Sequence, residues 1–222
     1  MQLFRSLALL LLLALAAPSH AQGLDDFEAV PLTDVLEVIV LEGEILAIDA
    51  NGGGQLSEDL HLAEEVLWTG ARGRIGVVIT NERLLAVSIG ASSWREIRFE
   101  RGEQYPSHAL LGDRVGIAVT PRRAIGFESG SGQLFEYRLG PREGVLATRV
   151  GENVVVVVTS RKAVALSPSG GFVETRLQLK EKLRDVRVRS NVATVRTDRR
   201  LLIFRGPTHS WAEQHLELRQ SG

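Results

Sequence analysis

One pattern recurs five times along this chain of 222 residues, and a chain written that way folds as a series of like units. Anchored on Leu41, Thr80, Thr120, Thr159 and Thr197, the copies are spaced by 38 to 40 residues. Before each anchor runs an apolar stretch rich in β-branched residues, as in VLEVIVL, IGVVIT and VVVVVT, which favours a strand. After it comes a polar turn: Asn81-Glu82, Pro121-Arg122, Ser160-Arg161 or Asp198-Arg199. A second apolar strand follows, closed by a Gly/Ser/Pro-rich turn, and then a third that opens on Leu56, Trp94, Leu134, Phe172 or Trp211. Two residues beyond each of these stands Glu58, Glu96, Glu136, Glu174 or Glu213. A fourth, less regular strand falls near Val66 to Thr69, Ala109 to Leu111, Val145 to Val150 and Leu183 to Val188.

Four short strands in about 40 residues are the signature of a propeller blade, because one such sheet buries both faces only against neighbours. The sequence therefore predicts an all-β fold, a five-bladed β-propeller of four-stranded repeats. The fifth unit ends at its third strand, while Phe27 to Leu32 fall where a fourth strand belongs. An N-terminal strand completing the last blade would close the ring and remove its open edges.

Residues 1–21 carry Arg5, an apolar run from Leu7 to Ala17 and a small-residue site ending at Ala21, the layout of a cleaved export signal. Cleavage after Ala21 is expected, leaving a single propeller domain over residues 22–222 in the periplasm or secreted. The apolar run is 11 residues, too short to span a bilayer core, and no later segment is expected to do so. With 26 basic and 27 acidic residues the chain lacks the basic excess of a nucleic-acid binder, and without cysteine it must stand on packing alone.

Segments such as ILAIDANGGGQL, LLAVSIGASSW and AVALSPSGGF resemble the quinoprotein-type, PQQ-like propeller repeat over residues 35–218. The resemblance implies a propeller from a superfamily that includes cofactor-dependent dehydrogenases and periplasmic scaffolds of outer-membrane assembly. No pyrroloquinoline cofactor-binding set is recognisable, and no cofactor is expected.

Two groups of residues could carry chemistry. The turns between first and second strands hold Arg83, Arg122, Arg123, Arg161, Lys162, Arg199 and Arg200, which in a propeller would form a basic rim at one end, fit for an acidic protein surface or an anionic glycan. At the opposite end, seven residues before the anchors, stand Asp34, Asp113 and Glu152. Converging at the channel mouth, these carboxylates would suit a glycoside hydrolase or a Ca²⁺ site. The glutamate of strand three, with Arg98, Arg138, Arg176 or His215 two places on, reads as a structural ion pair repeated in each blade. Trp68 is not repeated and is a candidate contact residue. The reading favoured is a non-enzymatic binding or assembly module, with the hydrolase or Ca-binding propeller as the alternative.

Overall fold

The computed structural model describes residues 35–168 and 170–216. The expected leader, the strand at residues 27–32 and Asp34 lie outside the described residues. Within them every regular element is a strand. The first sheet is β1 (Leu36–Leu41), β2 (Glu44–Asp49) and β3 (Gln55–Asp59), and the second is β4 (Val66–Arg72), β5 (Ile75–Thr80), β6 (Arg83–Ser88) and β7 (Arg95–Arg98). The third is β8 (Ala109–Leu111), β9 (Val115–Val119), β10 (Arg123–Glu128) and β11 (Leu134–Arg138). The fourth is β12 (Val145–Val150), β13 (Val155–Thr159), β14 (Lys162–Ser167) and β15 (Gly170–Arg176); the fifth is β16 (Leu183–Val188), β17 (Val192–Thr197), β18 (Arg200–Arg205) and β19 (Ser210–His215). All pairings are antiparallel between strands adjacent in sequence, the up-and-down meander of propeller-type repeats.

The blade boundary differs from the sequence reading by one strand. The strands expected to close units one to four each open the following sheet, so Val66 pairs with Thr80 and Leu183 with Thr197. The reason is the short hairpin after each such strand, such as Arg72-Gly73-Arg74-Ile75, which can join only paired neighbours. The fifth sheet consequently takes its four strands from residues 183–215, and the three-stranded sheet is the first.

Consecutive sheets pack face to face through four apolar clusters. Leu36, Val38, Ile45 and Ala47 of the first meet Val78, Leu85, Val87 and Trp94 of the second. The same arrangement joins the second to the third, the third to the fourth and the fourth to the fifth. Covered on both sides, β5, β6 and β10 are buried throughout, whereas β2, β17 and β18 alternate. Trp94 and Trp211 add a polar stitch, their indole N–H groups donating to the Leu56 and Val173 carbonyls of the preceding sheet at 3.2 and 3.0 Å. Trp68 is half-buried and packs against the cluster between sheets two and three.

At one end the backbone itself joins the sheets. The amides of Val35, Arg74, Arg114 and Asn153 donate to the carbonyls of Gly73, Asp113, Glu152 and Ser190 at 2.8 to 3.0 Å. The approach needs glycine: a Cβ on Gly151 would lie 2.3 Å from the Arg189 carbonyl oxygen, and one on Gly112 only 2.0 Å from that of Gly151. Gly151→Val is expected to lower stability by about 1–3 kcal/mol in urea unfolding, while Gly54→Val, facing open space, should change little. Equal effects would show that the stitch does not constrain the sheets.

Candidate functional site

The other end, where the turns after each anchor emerge, carries the most elaborate side-chain hydrogen bonding among the described residues. Each crossing from one sheet to the next begins with a four-residue turn: His61 to Glu64, Glu100 to Glu103, Gly140 to Glu143 and Gln178 to Glu181. Its fourth amide donates to its first carbonyl. Its third residue, Ala63, Gly102, Arg142 or Lys180, has φ between 63° and 71°. The closing glutamate folds back and accepts the first residue's amide through Oε2 at 2.5 to 2.9 Å.

The anchor threonine meets that glutamate. Thr80, Thr120, Thr159 and Thr197 donate their hydroxyls to Glu64, Glu103, Glu143 and Glu181 at 2.6 to 2.8 Å. Each Oγ1 also accepts the amides two and three residues on, fixing the turn into the next strand. A buried arginine completes three of the four clusters. Arg83 donates through Nε and Nη2 to Glu64 at 2.9 and 3.1 Å, through Nη1 to Glu58 and Glu96 at 3.0 and 2.5 Å, and through Nη2 to the Asp59 carbonyl at 2.8 Å. Arg123 joins Glu103, Glu136 and the Arg98 carbonyl, and Arg200 joins Glu181, Glu213 and the Arg176 carbonyl, in the same way. In the fourth sheet Lys162 takes this place and donates instead to Tyr137 Oη at 2.6 Å and Glu174 at 2.9 Å. Thr159 and the Gly140 amide hold Glu143.

The electrostatics follow from this wiring. Burial alone would push the carboxyls of Glu64, Glu103 and Glu181 up, but the facing guanidinium, the threonine hydroxyl and the turn amide outweigh it and hold all three below the usual glutamate range. Hydrogen bonds to Tyr137 and Glu174 push the Lys162 ammonium up to about 12.

The expected basic rim thus divides in two. Arg83, Arg123 and Arg200 are 2, 3 and 5 % exposed, and Lys162 is half-buried; these four are part of the frame, their donors spent on carboxylates of the same chain. Arg122, Arg161 and Arg199, each one residue earlier, are exposed at the turn. The strand-three glutamates are structural, as expected, yet their main partners are these buried cations; Arg98 lies 3.6 Å from Glu96, and Arg138 reaches Glu100. Glu64, Glu103, Glu143 and Glu181 went unnoticed in the sequence. Their signal was a glutamate 16 or 17 residues ahead of every anchor threonine.

Side chains between the frame residues point outward and differ from turn to turn. Leu62 and Leu179 stand at turn tips, 99 and 86 % exposed, and the tips of the four turns also carry exposed Arg101, Pro141, Arg142 and Lys180. Two adjoining hollows between the third and fourth sheets share Pro121, Glu143 and Gly144; Tyr105 and Pro106 line one, and Arg122, Pro141 and Arg142 the other.

At the stitched end, Asp113 and Glu152 lie on the hairpins whose carbonyls bind the neighbouring sheet. Among the described residues one group, His61, Glu64 and Glu82, brings three potential metal ligands together. It does not fit a cation, because both Glu64 oxygens are already occupied by Arg83, Thr80 and the His61 amide.

No protein-family model matches this sequence, and a search of curated proteins also finds no match. Among solved structures, the chain is similar to apo AztD from Citrobacter koseri, with 13% identity, a TM-score of 0.40 and coverage of 82% of this chain and 60% of that one. It is similar to Prp20p from Saccharomyces cerevisiae, with 10% identity, a TM-score of 0.41 and coverage of 78% and 55%. It is similar to the tricorn protease, with 10% identity, a TM-score of 0.42 and coverage of 82% and 26%. The chain therefore spans less than two thirds of the length of each.

Proposed function

We propose that this chain is an exported, non-enzymatic binding module that holds a protein partner on the end formed by the crossing turns. The observation supporting this reading is the contrast between frame and tips: glutamate and threonine recur in all four crossings, while the residues they present to solvent vary from Leu-Ala to Arg-Gly, Pro-Arg and Leu-Lys. Rigid frames with variable exposed tips are how propeller and loop scaffolds build recognition surfaces. The tips combine exposed leucine at Leu62 and Leu179 with exposed arginine at Arg101 and Arg142, a mix of apolar and arginine side chains that protein contact surfaces use.

The test is affinity capture from an extracytoplasmic extract, comparing residues 22–222 with a variant carrying Leu62→Ser, Leu179→Ser, Arg122→Ala, Arg161→Ala and Arg199→Ala. All five side chains are exposed, so the variant should unfold at the wild-type temperature. A partner retained by wild type and weakened at least about tenfold in the variant would support the reading. A partner bound equally by both would move the site off this end.

A further inference from the structure

The outward faces of the first and fifth sheets repeat the pattern of the faces that meet inside the molecule. In sheets two to five, the face toward the preceding sheet is built at fixed places: on the second sheet Val78, Leu85 and Val87 meet the first sheet, and on the fifth Val195, Leu202 and Phe204 meet the fourth. The same places on the first sheet are Ile39, Leu46 and Ile48, with Leu41 beside them. Ile39 and Leu41 are 37 and 46 % exposed, and Leu46 and Ile48 are half-buried. The face toward the following sheet is also fixed: on the first sheet Leu36, Val38, Ile45 and Ala47 point to the second. Its equivalents on the fifth are Val192, Thr194, Leu201 and Ile203, all half-buried. Among the described residues no apolar cluster joins the fifth sheet to the first.

The net charges on the two faces are opposite: Asp185 and Arg187 on the fifth sheet's face pair with each other at 2.6 Å, which leaves Arg196 and Arg205 there against three carboxylates on the first sheet. Glu44 and Asp59, paired across β2 and β3, border the first sheet's outward face at the crossing-turn end, and Glu37 borders it at the stitched end. On the fifth sheet, Arg196 stands next to Thr197 at the crossing-turn end, and Arg205, opposite Val192, stands at the stitched end. Glu37, Arg196 and Arg205 are exposed. Stacked as the internal sheets stack, the place of Arg205 would meet the first sheet's turn between second and third strands, as Ser167 meets Gly206 and His209, so the arginines and carboxylates would oppose one another as two faces of opposite charge. A rim of matched charge around an aliphatic centre is the make-up of a specific protein interface.

We propose that the fifth sheet of one copy docks on the first sheet of a second copy, continuing the stack head to tail. Such a contact is heterologous, so it closes into a ring of copies or extends as a chain. Arg196 and Arg205 supply attraction toward the face bearing Glu37, Glu44 and Asp59, and the aliphatic residues supply the buried area.

Sedimentation velocity over a concentration series tests this, on wild type, on Arg196→Glu with Arg205→Glu, on Glu37→Arg with Glu44→Arg, and on an equal mixture of the two reversed variants. Wild type should sediment as a dimer or larger species whose share grows with concentration. Each reversed variant should be monomeric at the wild-type melting temperature, and the mixture should regain a species of dimer mass. A wild type that stays monomeric where a Kd of about 1 µM would be filled overturns the proposal, whether its two faces meet within one chain or stay open. Unaltered assembly in both reversed variants overturns it too, and Ile39→Asp then shows whether the first sheet's face takes part at all.

Discussion

Replacing Arg123 with alanine should cost about 3–5 kcal/mol of stability, the usual penalty for leaving a buried charge without its partner. The guanidinium is 3 % exposed and holds Glu103, whose side chain is fully buried, together with Glu136 and the Arg98 carbonyl. Its loss strands the Glu103 carboxylate and unties three segments: the crossing turn, β10 and the end of β7. For a chain of this size each kcal/mol moves the melting temperature by roughly 2–4 °C, so thermal unfolding followed by far-UV circular dichroism should shift by roughly 6–20 °C. Arg122→Ala, one residue earlier, removes an exposed side chain 3.6 Å from Glu100 and should stay within about 0.5 kcal/mol. Similar losses in the two variants would mean that the cluster does not hold the blade together.

That contrast marks how far the sequence could be read. The strands were legible because their apolar runs are long, β-branched and repeated, and the described strands stand where the repeats put them. The phase of the blade was not: a repeat has no intrinsic beginning, and only the tight hairpins such as Gly73-Arg74 show that β4 belongs with β5. Arg122 and Arg123 look alike in sequence, since both follow Thr120 in one turn. Strand pleat separates them, sending Arg123 inward over β11 while Arg122 stays in solvent. The glutamates that capture the inward cations lie 19 or 20 residues away in the chain, across a loop whose turn had no strand pattern to reveal it. Leu41 and Glu44 stand in the first repeat where the others have threonine and a cation, so this cluster is not repeated there, and the departure was visible before its meaning was.

Acid should unfold the protein through the same clusters. Glu64, Glu103 and Glu181 titrate below the range they would have in the unfolded chain, about 4.3, because each is ionised against a guanidinium that cannot release its own proton. Between the two ranges the unfolded chain binds more protons than the folded one, so stability rises with pH there. The contribution is fully present above about pH 5.5 and is lost as pH falls through the folded-state values. Lys162, raised to about 12 from 10.5, acts in the opposite direction, giving stability that is present below 10.5 and lost as pH climbs toward 12. The melting temperature should therefore hold a plateau from slightly acid to moderately alkaline pH and fall away on both sides, more steeply on the acid side, where Glu64, Glu103 and Glu181 act together with Glu174, which Tyr137 and Lys162 hold below the usual glutamate range. Glu103→Gln keeps the shape of the cluster but removes one titrating group. It should lower the plateau, because Arg123 loses its buried ionised partner and keeps only the more exposed Glu136, and it should flatten the acid limb measured by circular dichroism from pH 7 to about 3. An acid limb as steep in Glu103→Gln as in wild type would place the acid sensitivity outside these clusters.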